Sequence, residues 1–115
     1  MQKELMISGR AVPFKATATT PIKYQERYGR DFLQDIQSYQ KSAEGGQVLS
    51  VDILVMCMRL AHTMAKQADA EIPEDPDEWI DGFEVFPIDV IMPELINLWM
   101  RSTISSAQLK KKAGA

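Results

Sequence analysis

The stretch Asp69-Ala-Glu-Ile-Pro-Glu-Asp-Pro-Asp-Glu-Trp-Ile-Asp-Gly-Phe-Glu-Val-Phe-Pro-Ile-Asp-Val-Ile-Met-Pro-Glu-Leu-Ile-Asn-Leu-Trp99 sets the plan of the chain. It holds both tryptophans and no lysine or arginine. Asp75 stands at an N-cap position, Pro76 at the first helical position gives up an amide that had no partner, and Glu78 is placed to reach back to the cap. A short helix therefore starts at 76. Trp79, Ile80 and Phe83 share one side of it, with Asp77, Glu78 and Asp81 facing water. Gly82 and Pro87 set its end near Val85, and a second helix is expected to begin at Pro87. In that helix Val90, Ile91, Glu94, Leu95, Leu98 and Trp99 recur at helical spacing, and Pro93 bends or splits it. The plain reading of Trp79, Phe83 and Trp99 is core; partner binding is the other.

Working outward, Ser50 caps a long helix over 51–68 whose apolar residues, from Ile53 to Ala65, cover most of its circumference. Such a helix is central, with neighbours on several sides. His62 and Cys57 lie five apart on it, a spacing that does not bring two metal ligands to one face, and neither reads as chemical. Lys41 to Gln47 reads as a linker or turn. Upstream, Thr20-Pro21 opens a helix over about 21–40 in which Tyr24, Tyr28, Phe32, Ile36 and Tyr39 form the apolar row. Gly29 followed by Asp31 predicts a kink or a division there. A tyrosine row beside Arg27 and Arg30 could be a base-stacking platform, but such platforms need a basic groove, and a half-buried face is the better account.

The N-terminal 2–18 reads as a β-hairpin: Leu5 and Ile7 on one face, a Ser8-Gly9-Arg10 turn, then Val12, Phe14, Ala16 and Ala18 in alternation. Pro13 confines its strand to an edge. A lone hairpin is marginal, so it must pack on the helices or be shared between subunits. The expected fold is thus mainly α: one small domain of four or five helices, about 21–40, 51–68, 76–85 and 87–107, with an N-terminal hairpin and a frayed tail at about 106–115.

Composition narrows the function. A chain of 115 residues with 45% hydrophobic content supports one core. Thirteen basic against sixteen acidic residues, with a pI of about 5.1, argues against a duplex nucleic-acid binder. The ten acids from Asp69 to Glu94 have no base among them, whereas Lys110, Lys111 and Lys112 make the tail basic. No signal-peptide core and no apolar run of membrane-spanning length is present, so no membrane is expected and the chain reads as cytosolic. One cysteine excludes an intramolecular disulfide. Seven methionines serve as core filler or as an adaptable binding surface.

No phosphate loop, nucleophile elbow, His-Glu-x-x-His or Cys-x-x-Cys is found. Pro73 and Pro76 break the register an EF-hand loop would need, so the acids from 69 to 81 read as a solvated, helix-capping loop. No catalytic residue, metal or cofactor is nominated.

The string Pro13-Phe-Lys-Ala-Thr-Ala-Thr-Thr-Pro21, then Tyr24, Tyr28-Gly-Arg-Asp31, Ala65-Lys-Gln-Ala-Asp69, Asp75-Pro-Asp-Glu-Trp-Ile-Asp81, Phe83, Phe86 and Pro93-Glu-Leu-Ile-Asn-Leu-Trp99, resembles the tail assembly chaperones of long-tailed phages and prophages of Gram-positive bacteria. The order and spacing of the pieces carry the likeness, over roughly Gly9 to Lys112. What the resemblance implies is a non-enzymatic helper in the host cytoplasm, absent from the mature virion. Such a helper binds the tape-measure protein and recruits tail-tube protein; self-association is a further expectation. In that family a longer product often arises by frameshifting, and Lys110 to Lys112 is the kind of run a slippery site would encode. Trp79, Phe83, Phe86 and Trp99 are the candidates to line the client or self-association surface, because they cluster beside the acidic run. The reading from another class is a small acidic regulatory or inhibitory protein acting on a host or phage partner.

Overall fold

A computed structural model describes residues 1–46 and 48–103. Within them the chain forms strands β1 (Gln2–Ile7) and β2 (Arg10–Lys15), then helices α1 (Thr20–Tyr28), α2 (Phe32–Glu44), α3 (Val51–Ala68), α4 (Pro76–Asp81) and α5 (Ile88–Thr103). This is a small α+β domain of helices with an antiparallel N-terminal hairpin. The expected helical end beyond 103, the frayed tail and Lys110 to Lys112 lie outside the described residues.

The hairpin closes through Ser8 and Gly9, both at positive φ (50° and 77°), the twist-matched turn that two-residue hairpins favour. Ile7 faces Arg10 and the register runs out to Gln2 opposite Lys15. One step further, Met1 and Ala16 exchange both backbone bonds, at 2.7 and 2.8 Å. Because bonded and non-bonded pairs alternate, Glu4 opposite Pro13 falls in the non-bonded class, and the missing proline N–H removes no ladder bond. Ile7, Val12, Phe14 and Ala16 are buried, whereas Ala18, expected on the same face, is exposed.

Helix α3 is the centre, packed against β2, α1, α2, α4 and α5. Its start is fixed by Ser50, whose hydroxyl accepts from the Ile53 N–H at 3.2 Å. Burial of Met56, Cys57, Leu60, Ala61, Met64 and Ala65 on it follows from being covered on several sides. Each large apolar side chain so buried contributes about 1.5–3 kcal/mol before entropy.

Several expected boundaries move. Within 21–40 the kink or division expected at Gly29 and Asp31 is a division: Gly29 adopts φ 66° and terminates α1, and Asp31 accepts from Gln34 N–H at 2.9 Å to start α2. Helix α2 then continues through Ser42-Ala43-Glu44 to end at Gly45, beyond the linker start expected at Lys41. Helix α4 stops at Asp81 rather than near Val85, because the Gly82 and Phe83 N–H groups turn back to Trp79 and Ile80 carbonyls. Asp75 does cap it, accepting from Asp77 N–H at 3.0 Å, but Glu78 makes no return bond among the described residues. Helix α5 starts at Ile88, with the Pro87 carbonyl accepting from both Val90 and Ile91, and it runs through Pro93 unsplit. Val90 points outward, so the buried face of α5 is Ile88, Ile91, Met92, Leu95, Ile96 and Leu98.

Candidate functional site

The four aromatic candidates fall into two places. Trp79, Phe83 and Phe86 form one cluster, with ring centroids 5.4 to 5.6 Å apart; Trp79 meets both phenylalanines edge to face, and the two phenylalanines are tilted at 56° to each other. Trp79 also meets Phe14 of β2 at 6.2 Å and His62 of α3 at 5.8 Å. Trp79 and Phe83 are only 6% and 7% exposed, so in this conformation they join hairpin to helices; Phe86 is half-buried. Trp99 lies elsewhere, half-buried on Phe32 at 5.1 Å, its indole N–H buried without a hydrogen-bond partner among the described residues.

Two links hold the cluster shut. Arg10 stacks its guanidinium over the Phe83 ring at 4.3 Å. The Ser8 hydroxyl donates to the Val85 carbonyl at 2.7 Å and accepts from the Val85 N–H at 2.9 Å. The hairpin turn thus clamps the segment between α4 and α5.

Two polar groups inside the fold are fully partnered. His62 is buried on α3; a carbonyl can only accept, so Nε2 carries the proton and donates to Pro73 at 2.8 Å. Nδ1 then accepts from the Tyr28 hydroxyl at 2.9 Å. Burial disfavours the imidazolium and pulls its pKa below the usual value. Asp35, buried on α2, accepts from the Tyr24 hydroxyl at 2.6 Å and from two Arg30 nitrogens at 2.7 and 2.8 Å. Burial by itself would raise its pKa, but the paired guanidinium and the hydroxyl outweigh it and hold the carboxyl below its ordinary range. Both groups are satisfied by partners within the fold. Cys57 is buried too, and burial pushes its thiol up to about 12, which removes the thiolate that reactivity needs. Among the described residues no group of His, Cys, Asp and Glu could hold a metal ion, and no helix is long and apolar enough to cross a membrane.

What the structure does leave open is a groove between α2 and α5. It encloses about 440 Å³ and is walled by Tyr39, Gln40, Ala43 and Glu44 on one side and by Pro93, Ile96, Asn97 and Met100 on the other. Each wall is one row along its helix, at spacings of one, three and four. Helix α2 packs on α1 and α3 alike and α5 chiefly on α3, so the groove between α2 and α5 stays unfilled. Sequence reasoning placed its apolar site at the aromatics and did not single out this pair of rows; the signal was the i, i+3, i+4, i+7 run of residues 93, 96, 97 and 100, in which the exposed Pro93, Asn97 and Met100 flank the buried Ile96. Comparison of the chain with family models, curated proteins and solved structures finds no match.

Proposed function

We propose that this chain is a non-enzymatic assembly helper of the tail assembly chaperone type, which holds an apolar helical stretch of a tape-measure protein and brings tail-tube protein to it. The observation that carries the proposal is the α2–α5 groove. A trough walled by rows of side chains from two helices accepts a third helix more readily than a strand or a small polar ligand, since helices dock apolar stripes into such grooves. Residues 93 to 100 span about 10 Å along α5, room for two turns of a client helix. Met100 at the rim adds an adaptable contact. Pro93, Ile96 and Asn97, which fall within the stretch that carries the resemblance, are among the residues that wall this groove.

The test is substitution of exposed groove residues that carry no part of the core. Ala43→Glu and Met100→Glu put a charge where an apolar helix would lie, and both positions are exposed. The expected result is unchanged circular dichroism with client retention weakened at least about tenfold, or ~1.4 kcal/mol. Retention equal to wild type in both variants contradicts the groove as the client site.

A further inference from the structure

A second cavity, of about 650 Å³, opens among α1, α3 and the end of β2. Its charge is opposite to that of the whole protein. Lys15, Lys23, Arg27 and Lys66 line it against a single carboxylate, Glu26, on a chain whose net charge is −3. A concave surface of one sign on low-dielectric walls concentrates the field and draws counter-charge to it. Thr63 and Gln67 supply polar groups from α3 to the same lining.

The chain itself shows which counter-charge fits. Glu74, in the loop that precedes α4, sends one carboxylate oxygen to Arg27 at 2.8 Å and the other to Lys66 at 2.8 Å. Its side chain is 74% exposed, so charge and hydrogen bonding hold it there rather than packing. Those two bonds hold its carboxyl down at about 2. Lys66 is further fixed by donating to the Ala70 and Ile72 carbonyls at 2.7 and 2.9 Å, which pre-positions its charge. Lys15 and Lys23 have no ion-pair partner among the described residues. Half of the cationic lining is thus engaged by a built-in carboxylate and half is free.

We infer that this cleft is a binding site for an acidic peptide segment of a partner protein, which places one carboxylate on Lys15 and Lys23 and competes with Glu74 for Arg27 and Lys66. The assignment does not depend on the α2–α5 groove, which is lined by different residues from different elements. A carboxylate is the group already seated on two of the four cations, and the same cavity is lined by the other two. Glu74 acts as an internal competitor: it keeps Arg27 and Lys66 compensated when the cleft is empty and yields when a multivalent acidic segment arrives.

The test uses the full chain and a labelled peptide of alternating Glu and Ala, followed by fluorescence anisotropy at low salt. Lys15→Glu with Lys23→Glu is expected to weaken binding about tenfold or more, equal to ~1.4 kcal/mol. Lys41→Glu with Arg101→Glu changes the net charge equally at exposed positions outside the cleft and is expected to leave binding within about twofold. Glu74→Gln is expected to tighten binding about threefold, in the range of an exposed ion pair, while Glu71→Gln, equal in charge change, does not. No binding by the wild-type chain, equal loss in the two double variants, or equal response of Glu74→Gln and Glu71→Gln each overturns the inference. A single-stranded oligonucleotide of matched charge that displaces the peptide and outbinds it overturns the assignment to an acidic peptide.

Discussion

The Ser8 hydroxyl both donates to and accepts from the backbone of Val85, residues 77 apart in sequence, and so ties the hairpin turn to the connection between α4 and α5. Ser8→Ala removes both bonds and keeps the left-handed backbone, at an expected cost of about 1–2 kcal/mol. Ser8→Gly loses the same bonds but relieves the positive φ, and is expected to recover about 1 kcal/mol of that loss. Urea unfolding of the two variants checks the order. Equal stability of Ser8→Ala and wild type would mean that the clamp contributes nothing.

His62 is the chain's only histidine, so its ring resonances report one site. Burial lowers its folded pKa below the unfolded value of about 6.5, which means the unfolded chain binds the extra proton first. Its contribution is fully present above pH ~6.5 and is lost as the pH falls from there through the lowered folded value. An NMR titration should place the midpoint below that of a free imidazole. Comparison with His62→Gln should show a flatter stability profile in the variant on the acid side of neutrality; parallel profiles would contradict the buried neutral tautomer.

Asp35→Ala leaves the buried Tyr24 hydroxyl without its acceptor and frees Arg30, which is half exposed and can rehydrate. The expected loss is about 1–3 kcal/mol, set mostly by the stranded hydroxyl. Because the folded carboxyl titrates below its unfolded value, wild type keeps this contribution above the unfolded pKa of about 3.9 and loses it as pH falls through the folded value. Denaturant midpoints of variant and wild type should therefore converge in acid.

The two tryptophans should respond differently. Trp79→Ala removes the ring that Phe14, His62, Phe83 and Phe86 all meet, with an expected cost of about 3–5 kcal/mol. Trp99→Phe keeps a ring against Phe32 and deletes a buried N–H that has no partner among the described residues, so it should cost less than about 1 kcal/mol. Thermal unfolding of both separates a core role from a peripheral one. Similar losses would show that Trp99 is as deeply integrated as Trp79.

What could be read from the sequence was whatever a few adjacent residues decide. Ser50 before a long apolar run gave the bounds of α3; Asp75-Pro76 gave the start of α4; Ser8-Gly9-Arg10 located the hairpin turn, although Arg10 already pairs with Ile7 as the first residue of β2; Gly29 and Asp31 marked the break between α1 and α2. Relationships across the chain were not legible. Thr20 reads as a cap beside Pro21, yet its hydroxyl donates to Gln67 at 2.6 Å and pins α1 on α3. His62 carries no local sign of its partners, which come from Tyr28 and Pro73. Val90 fits the helical stripe of α5 but lies outside the sector that α3 covers. The α2–α5 groove depends on how two helices lean on a third, and the basic cleft gathers Lys15, Lys23, Arg27 and Lys66 from three elements, so neither has a contiguous signature.

The most direct measurement of the proposed function is co-expression of this chain with a candidate tape-measure protein encoded beside it, followed by solubility and co-purification of that client. The account predicts a client that is soluble only with the chain present, co-elutes with it, and is lost when Met100→Glu and Ala43→Glu are combined. A client that stays insoluble with the wild-type chain, or that co-purifies equally with the combined groove variant, contradicts it.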